Sequence, residues 1–142
     1  MYVAVFVAIL GTTVFWAWRK SKTSTANIGA GWEQLPTDFH TFYEKFHSDS
    51  TFQMAHIRFP LAGLPNDADS SQVGNFFWQQ NDWKMHRMPQ DTAFVRIYSI
   101  PLNGFVNEVI KQKVPPYFGV SRRFAKMDDG WQLIYYVNAN QM

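Results

Sequence analysis

Apolar and polar residues follow different periods along the chain, and each change of period marks a predicted element. Residues 1–18 are apolar apart from Tyr2 and two threonines and carry no charged side chain. A stretch rich in Ser, Thr, Ala, Asn and Gly follows, and helical and strand periods begin after residue 36. The pattern predicts three parts: a transmembrane anchor at 1–18, a polar tether at 19–35 and a globular domain at 36–142.

The first 18 residues have the length and composition of a membrane span. As a helix they measure about 27 Å, against roughly 30 Å for the hydrocarbon core of a bilayer. A cleaved signal peptide needs a basic residue before its apolar run and small residues at a cleavage site, and neither is present. We expect an uncleaved single-pass anchor in contact with membrane lipid. A signal peptide, a misassigned start and a buried globular helix are the alternatives.

Three cationic residues follow the apolar segment directly, and they bear on topology. Arg19, Lys20 and Lys22 stand on its C-terminal side, whereas only the terminal amine precedes it. Cytoplasmic flanks of membrane spans carry an excess of Lys and Arg. The flanking charge therefore favours a cytoplasmic domain.

The globular domain opens with an amphipathic pattern. Phe39, Phe42, Tyr43 and Phe46 stand at i, i+3, i+4 and i+7, which predicts a helix ending near His47 with one apolar stripe. A short helical turn at 51–55 and an extended segment at 57–61 follow. Pro60 cannot donate to a strand ladder, so we expect this segment at a sheet edge or a strand end.

Strand signals fill the rest of the chain. Two aromatic-rich runs at 76–78 and 83–87 predict a hairpin after a loop at 62–72. Residues 94–100 have the strongest strand propensity, and the Asn103-Gly104 pair after them is a hairpin signal. Residues 105–113 fit a strand or a helix.

The last forty residues predict a hairpin. Two β-prone runs, 121–127 and 131–137, are separated by Asp128-Asp129-Gly130. Simple alternation places Trp131, Leu133, Tyr135 and Val137 on one face, with Ile134 and Tyr136 on the other. Both faces carry apolar residues, so this strand is predicted to be central. An early helix followed by antiparallel strands indicates an α+β domain, with a helix packed on a curved sheet.

Several short motifs extend this interpretation. They are Phe42–Phe46, Ser48-Asp49, Phe52-Gln53, Ile57, Phe59–Leu61, Asp82-Trp83 and Asp129–Leu133. With these motifs the chain resembles, over roughly residues 38 to 138, an uncharacterised family of predicted bacterial lipoproteins. The resemblance implies a cystatin-like or nuclear-transport-factor-two-like fold and a location at the cell exterior or periplasm. The lipid-bearing Cys of that family is absent, and the location it implies opposes the one that the flanking charge favours.

Composition narrows the possible functions. The chain has no Cys, which excludes disulfides, thiolate metal sites and a Cys nucleophile. Its net charge of +2 argues against a nucleic-acid-binding surface. Among the four histidines there is no HExxH pattern, and no Gly-rich phosphate loop or GxSxG motif occurs. We therefore predict no catalytic residue, no metal and no cofactor.

Five side chains are candidates for a ligand pocket. Asp82 and His86 are four residues apart and would serve as a general-base pair in a cleft. As a turn residue and an exposed strand residue they need no such role. Arg96, Tyr98 and Tyr135 would line a concave sheet face suited to a small apolar or anionic ligand. Core packing with Arg96 at the rim explains the same residues and is the preferred interpretation.

The surplus of aromatic side chains, 18% of the chain, suggests a partner surface. We take Trp78, Trp83 and Phe118 as its candidate residues, because a small domain has little room to bury them all. The leading hypothesis is thus a membrane-anchored, non-enzymatic interaction module, such as an accessory subunit of a membrane protein complex. The alternative is a small-ligand-binding domain or weak enzyme that uses the concave face.

Overall fold

The computed structural model describes residues 27–87 and 93–140, so the predicted anchor at 1–18 lies outside the described residues. Neither helix in those two ranges is long and apolar enough to cross a membrane. The described part is an α+β domain in which a helix packs on a curved, mainly antiparallel sheet. Its elements in chain order are β1 (Asn27–Ala30), α1 (Thr37–Ser48), α2 (Ser50–Ala55), β2 (Ile57–Leu64), β3 (Phe77–Trp78), β4 (Phe94–Ile100), β5 (Phe105–Gln112), β6 (Phe118–Met127) and β7 (Gly130–Asn140).

The seven strands form one sheet in the order β1-β4-β5-β6-β7-β2-β3. Strands β4 to β7 run as a continuous antiparallel meander. β2 joins its far side in parallel to β7. β7 therefore has a neighbour on each side, which confirms its predicted central place. The ambiguous segment after Gly104 is a strand, since β5 pairs with β4 and β6 along its length.

Helix α1 covers one face of the sheet, called the inner face below. The predicted stripe of Phe39, Phe42 and Phe46 is buried. The ring centroid of Phe124 on β6 lies 5.3 Å from that of Phe39 and 5.7 Å from that of Phe46. Edge-to-face contacts of this kind, together with the buried apolar area, account for most of the attraction between helix and sheet.

Two of the three predicted hairpins are present, and the turn of each contains a glycine with positive φ. Gly104 between β4 and β5 has φ 84°, and Gly130 between β6 and β7 has φ 109°. A side chain at these φ values would clash with the backbone, so glycine is favoured. The residue types alone therefore located these two turns.

A β-bulge overturns the predicted alternation on β7. Phe124 pairs with Leu133, but Arg123 pairs with Tyr135, so Ile134 has no partner in the register. One extra residue transfers every later side chain to the opposite face. Tyr136, rather than Tyr135, consequently shares the inner face with Leu133 and is buried.

The polar tether is shorter than the sequence predicts, and the domain begins earlier. β1 at 27–30 pairs with β4, and Leu35 belongs to the core. Between them, the ring of Trp32 lies 5.1 Å from that of Tyr43 and 5.8 Å from that of Tyr98. The sequence did not reveal this strand, because its four residues, Asn-Ile-Gly-Ala, show no apolar alternation and are held by backbone pairing.

The expectation for Pro60 was partly right. β2 as a whole lies between β7 and β3 and not at an edge, but Pro60 itself pairs with neither neighbour. The pairing of β2 with β7 is interrupted between Ile57 and Ala62, and Pro60 falls within that irregular stretch, where no ladder hydrogen bond is demanded of it.

The predicted hairpin at 76–87 does not form. Phe77 and Trp78 pair with β2 as the short strand β3, residues 80–82 form a 3-10 helix, and residues 83–87 are irregular. The aromatic residues in these runs make tertiary contacts with the rest of the domain. Their clustering along the sequence resembled the pattern of a strand.

Gly63 on β2 permits the closest approach between two strands. It pairs with Tyr136, and a Cβ built on it would lie 1.8 Å from the Tyr136 carbonyl oxygen and 2.8 Å from the Trp78 Nε1. That Nε1 donates a hydrogen bond of 3.1 Å to the same carbonyl. The absence of a side chain at Gly63 is thus what lets Trp78 reach β7.

We predict that Gly63→Ala lowers the free energy of unfolding by about 3 kcal/mol or more, since backbone atoms must move to admit the methyl group. Denaturant titration of the variant measures this change. Gly31→Ala is the matched control, because nothing lies within 4 Å of a Cβ there. Equal stability of the two variants would contradict the close approach.

Candidate functional site

A row of polar side chains crosses the inner face of the sheet. The strand register aligns Tyr98 with Glu108, Glu108 with Arg122, and Arg122 with Tyr136. All four residues are buried. Because alternate residues of a strand share a face, four strands deliver these groups to one line beneath α1.

Helix α1 adds two polar groups to this row. Tyr43 and His47 are four residues apart, so they lie one above the other on the helix surface, and both are buried. The polar cluster is defined here as Tyr43, His47, Tyr98, Glu108, Arg122 and Tyr136.

A buried ion pair forms the centre of the polar cluster. Arg122 Nη2 lies 2.6 Å from Glu108 Oε2, and Arg122 Nε donates to the same oxygen at 2.8 Å. The two side chains are 2% and 0% exposed. Removing two charges from water costs several kcal/mol each, so the pair persists only because each charge finds close partners.

Two tyrosines complete the surroundings of the ion pair. The Tyr43 hydroxyl donates to Glu108 Oε1 and accepts from Arg122 Nη2 at 3.2 Å. Burial is the main reason that the pKa of Tyr43 is raised. It also raises the pKa of Tyr98 to about 12, with the Glu108 charge adding to the effect. Both phenols are therefore neutral hydrogen-bonding groups near pH 7.

His47 is held in one neutral tautomer. Its Nδ1 donates to the Tyr43 carbonyl at 2.7 Å, so its Nε2 is free of a proton and accepts from Arg122 Nη1 at 2.8 Å. Burial, and then the Arg122 charge, lower the pKa of His47 to about 3. Burial also counts against a charged Arg122, but Glu108 more than offsets it and the pKa of Arg122 is raised.

His86 borders the cluster from the irregular segment that precedes residue 88. Its ring centroid lies 4.7 Å from that of Tyr136 and 4.4 Å from that of Trp83. Burial, followed by the Arg122 charge, lowers the pKa of His86 to about 4.

Gln53 on α2 fixes this segment in place. Its Nε2 donates to the carbonyls of Phe46 and His86, at 2.7 and 2.9 Å. Its Oε1 accepts from the Trp83 Nε1 and the His86 N–H, at 3.1 and 2.8 Å. All four hydrogen-bonding positions of the buried amide are thus used, which ties residues 83–86 to the helices.

A second row lies one step further along the strands on the same face. The register aligns Arg96 with Ile110, and Val120 with Asn138, and these four residues are called the second row. Ile110 and Val120 are buried, whereas Arg96 is exposed. The Asn138 Oδ1 is buried and has no hydrogen-bond partner among the described residues. The half-buried rings of Phe94 and Phe118 stand next along the same face.

Three of the five predicted pocket residues lie at this site, and two do not. Tyr98 belongs to the polar cluster, His86 borders it and Arg96 belongs to the second row. Tyr135 lies on the opposite face, where its ring is 5.8 Å from the Arg123 guanidinium. Asp82 is exposed in the 3-10 helix, while His86 packs on Trp83 and Tyr136, so they do not form the predicted base pair.

The predicted partner-surface residues are occupied within the domain. Trp78 and Trp83 donate their indole N–H groups to Tyr136 and Gln53, and Phe118 packs against the core. The exposed large apolar residues are different ones: Val73, Phe77, Val95, Ile97, Leu102, Val114, Tyr117 and Met127.

Sequence reasoning missed Glu108, Arg122 and the polar role of Tyr43. Tyr43 was taken as part of the apolar helix stripe, and neither charge belongs to a recognisable motif. One signal was available for the charges, because Glu108 alternates with Val106 and Ile110, and Arg122 with Val120 and Phe124. A charged residue in phase with an apolar face marks a buried charge that needs a partner.

Metal binding has no support in residues 27–87 and 93–140. No group of three or more His, Cys, Asp or Glu side chains there is placed to hold an ion. The cluster's own charges are paired with each other instead.

Comparison with known proteins identifies the fold. No protein-family model matches the chain, and no curated protein matches it. Among solved structures, the chain is similar to an NTF2-like protein from Bacteroides fragilis NCTC 9343, with 20% sequence identity and a TM-score of 0.51. The match covers 73% of this chain and 47% of that chain.

The chain therefore has an NTF2-like α+β fold and spans about half the length of the solved protein it matches. This confirms the fold that the sequence resemblance implied. At 20% identity the likeness shows the fold alone, because this architecture hosts many unrelated functions. The relation to lipoproteins stays a prediction.

We predict that Glu108 and Arg122 make strongly coupled contributions to the free energy of unfolding. Glu108→Leu or Arg122→Met alone should lower the free energy of unfolding by about 3–5 kcal/mol, since each leaves one buried charge uncompensated. The double variant should cost less than the sum of the two. Denaturant titrations of all four proteins measure the coupling.

The exposed pair Arg58–Asp129, at 3.6 Å, provides the control for this cycle. A cycle on that pair should give a coupling below about 1 kcal/mol, because solvent screens it. If the losses in free energy of unfolding caused by the Glu108 and Arg122 variants were additive, the close ion pair between these two side chains would be contradicted.

The buried His47 and the half-buried His86 predict a pH dependence of stability. Their pKa values of about 3 and 4 lie below the value of about 6.5 in an unfolded chain. As pH falls below about 6.5 the unfolded chain binds protons that the folded chain does not, so the free energy of unfolding decreases, by about 1 kcal/mol per pH unit per histidine.

Denaturant titrations between pH 7 and 4.5 measure this slope. Between pH 7 and 4.5, His86→Gln should reduce the slope of the free energy of unfolding against pH by the contribution of one histidine, about 1 kcal/mol per pH unit. A wild-type free energy of unfolding that stays constant from pH 6.5 to 4.5 would refute the neutral burial of both histidines.

Proposed function

We propose that this protein is a membrane-anchored, non-enzymatic domain that binds a small ligand on the inner face of its sheet, over the second row. One observation supports this most directly. Asn138 presents a buried carbonyl oxygen without a partner, beside the apolar Ile110 and Val120. Leaving such an acceptor unpaired costs about 1–3 kcal/mol, which a ligand N–H or O–H would recover.

The surroundings indicate the ligand's chemistry. Ile110 and Val120 form an apolar floor, the rings of Phe94 and Phe118 stand beside it, and the polar cluster closes one side. Ligand sites are typically apolar with a few polar groups that fix orientation. The second row therefore suits a small, mostly apolar or aromatic molecule that carries one hydrogen-bond donor.

The electrostatics favour binding over proton-transfer catalysis. The pKa values of His47 and His86 lie near 3 and 4, and that of Tyr98 near 12. None of these three groups exchanges protons readily near pH 7, which general acid-base catalysis requires. They serve instead as fixed donors and acceptors.

The membrane part of the proposal comes from residues 1–18, which have the length and composition of a single span. The cations at positions 19, 20 and 22 support a cytoplasmic domain.

Indole and benzofuran provide a matched pair of probes, since they share a shape but only indole has an N–H. In the full chain in nanodiscs, indole should raise the Tm more than benzofuran, because binding to the folded state stabilises it. Asn138→Leu should abolish the difference and, with no ligand present, should raise the stability by removing the unpaired acceptor. Equal responses to both probes, or a destabilised Asn138→Leu, would refute the proposed site.

A second candidate function is interaction with a membrane protein partner, as an accessory subunit. Val95 and Ile97 support it, because they are 39% and 44% exposed on the outer face of β4, and Ile97 pairs with Val109 across the sheet. A partner held in the same membrane should co-purify with the chain in mild detergent. The variant Ile97→Lys should abolish co-purification of the partner, whereas Leu102→Lys should leave it unchanged. A chain that is purified as a monomer without any partner would contradict this second candidate function.

A further inference from the structure

A cleft of about 300 Å³ opens where β2 and β7 begin. It is called the β2–β7 cleft below, and its lining includes Met54, Ile57, Arg58, Phe59, Asp129 and Gln132. Among the described residues, no member of the polar cluster or of the second row takes part in this lining. The cleft is therefore a separate site from the one proposed for the inner face.

The irregular pairing of β2 accounts for the cleft. In the register with β7, Ile57 pairs with Leu133, and the next pair is Ala62 with Tyr135. Residues 58–61 therefore have a single residue of β7 opposite them. Extra residues in one strand bend it out of the ladder, so this part of β2 leaves a gap beside the start of β7.

Gln132 forms the floor of the cleft and carries an unused amide. The residue is only 3% exposed, and its side-chain amide makes no hydrogen bond within the part of the chain that the structure describes. Its neighbour on β6 is Ala125, which has no polar side-chain atom to offer. A buried amide without partners is costly, so the position is best explained by a polar group that enters the cleft.

The rim of the cleft carries one charge of each sign. Arg58 and Asp129 are 57% and 62% exposed, and the guanidinium lies 3.6 Å from the carboxylate. An exposed pair of this kind stabilises the fold little, so both charged groups are available to a ligand. Met54 and Phe59, both half-buried, add apolar wall between these charges and Gln132.

We propose that the β2–β7 cleft binds a free α-amino acid whose side chain ends in an uncharged amide, as in L-glutamine. The nitrogen and the carboxyl carbon of an amino acid are about 2.5 Å apart, so one head group reaches Asp129 and Arg58 together. The methylene groups lie against Met54 and Phe59. The terminal amide and the Gln132 amide each offer a donor and an acceptor, so they exchange reciprocal hydrogen bonds.

Equilibrium dialysis of the full chain in nanodiscs against radiolabelled L-glutamine measures this binding. Unlabelled competitors show which groups are recognised: L-norleucine keeps the head group but lacks the amide, and glutaramate keeps the amide but lacks the ammonium group. We expect each to compete about ten-fold or more weakly than unlabelled L-glutamine, because each leaves a polar group of the cleft without its partner.

Variants locate the bound amino acid. Arg58→Gln and Gln132→Leu should each weaken L-glutamine binding about ten-fold or more. Arg58 is exposed, so its variant tests the site without disturbing the core. Lys126→Gln is the matched control, because Lys126 forms an exposed ion pair with Asp38 outside the cleft. That variant, and Asn138→Leu at the second row, should leave the affinity unchanged.

Three results would overturn the proposal. The first is the absence of saturable L-glutamine binding, and the second is equal competition by L-norleucine and L-glutamine. The third is binding that survives both Arg58→Gln and Gln132→Leu, or that is lost in Asn138→Leu, because the amino acid would then occupy a different site.

Discussion

The buried pair of Glu108 and Arg122 is the interaction around which the rest of the domain is arranged. Two charges removed from water in a small core are tolerated only where every lone pair and N–H finds a partner. The partners come from α1, as Tyr43 and His47, and from the strand register that sets the two charges side by side. A one-residue slip of β5 against β6 would send one charge to the other face. The pair therefore penalises wrong registers more strongly than it stabilises the correct one.

This constraint divides the inner face into two regions. Beside the turns at 101–104 and 128–129 the inner face is apolar, and there Phe124 packs against Phe39 and Phe46 of α1, all three fully buried. This region provides the hydrophobic stabilisation. Beyond it lies the polar cluster, in which Tyr43, His47, Glu108 and Arg122 are hydrogen-bonded to one another. The second row, where the Asn138 Oδ1 is unpaired, borders that hydrogen-bonded cluster. A site placed there has preorganised walls, so a ligand would spend little of its binding energy on ordering the protein.

The NTF2-like fold and the position of the site are separate pieces of information. The fold explains why a helix covers a curved sheet, but not which side chains lie beneath the helix. In this chain those side chains include the neutralised ion pair of Glu108 and Arg122, and the neutral His47 of α1 and His86 of the 83–87 segment lie beside it. This arrangement provides hydrogen bonds without available net charge. That is the physical basis for favouring a binding domain over an enzyme.

Local patterns were sufficient for elements whose stability is local. The apolar stripe predicted α1, and the glycines that need positive φ predicted the turns at 104 and 130, because those requirements involve only neighbouring residues. The α+β class and the NTF2-like fold followed from the order of such elements and from the resemblance carried by their aromatic residues. Tyr98, Arg96 and His86 were placed at the site from β alternation and proximity alone.

Tertiary structure decided everything that depends on residues distant in sequence. The bulge at Ile134 places Tyr136 instead of Tyr135 on the inner face. The sequence of β7 does not reveal this bulge, because it arises from the pairing with β6. Trp78 and Trp83 donate hydrogen bonds to Tyr136 and Gln53 within the domain, so they do not form the predicted partner surface. β1 was hidden among polar residues because backbone pairing holds it. By itself the sequence determined α1, the turns at Gly104 and Gly130 and an apolar N-terminal segment, whereas the joining of Glu108 to Arg122 required the register of the folded sheet.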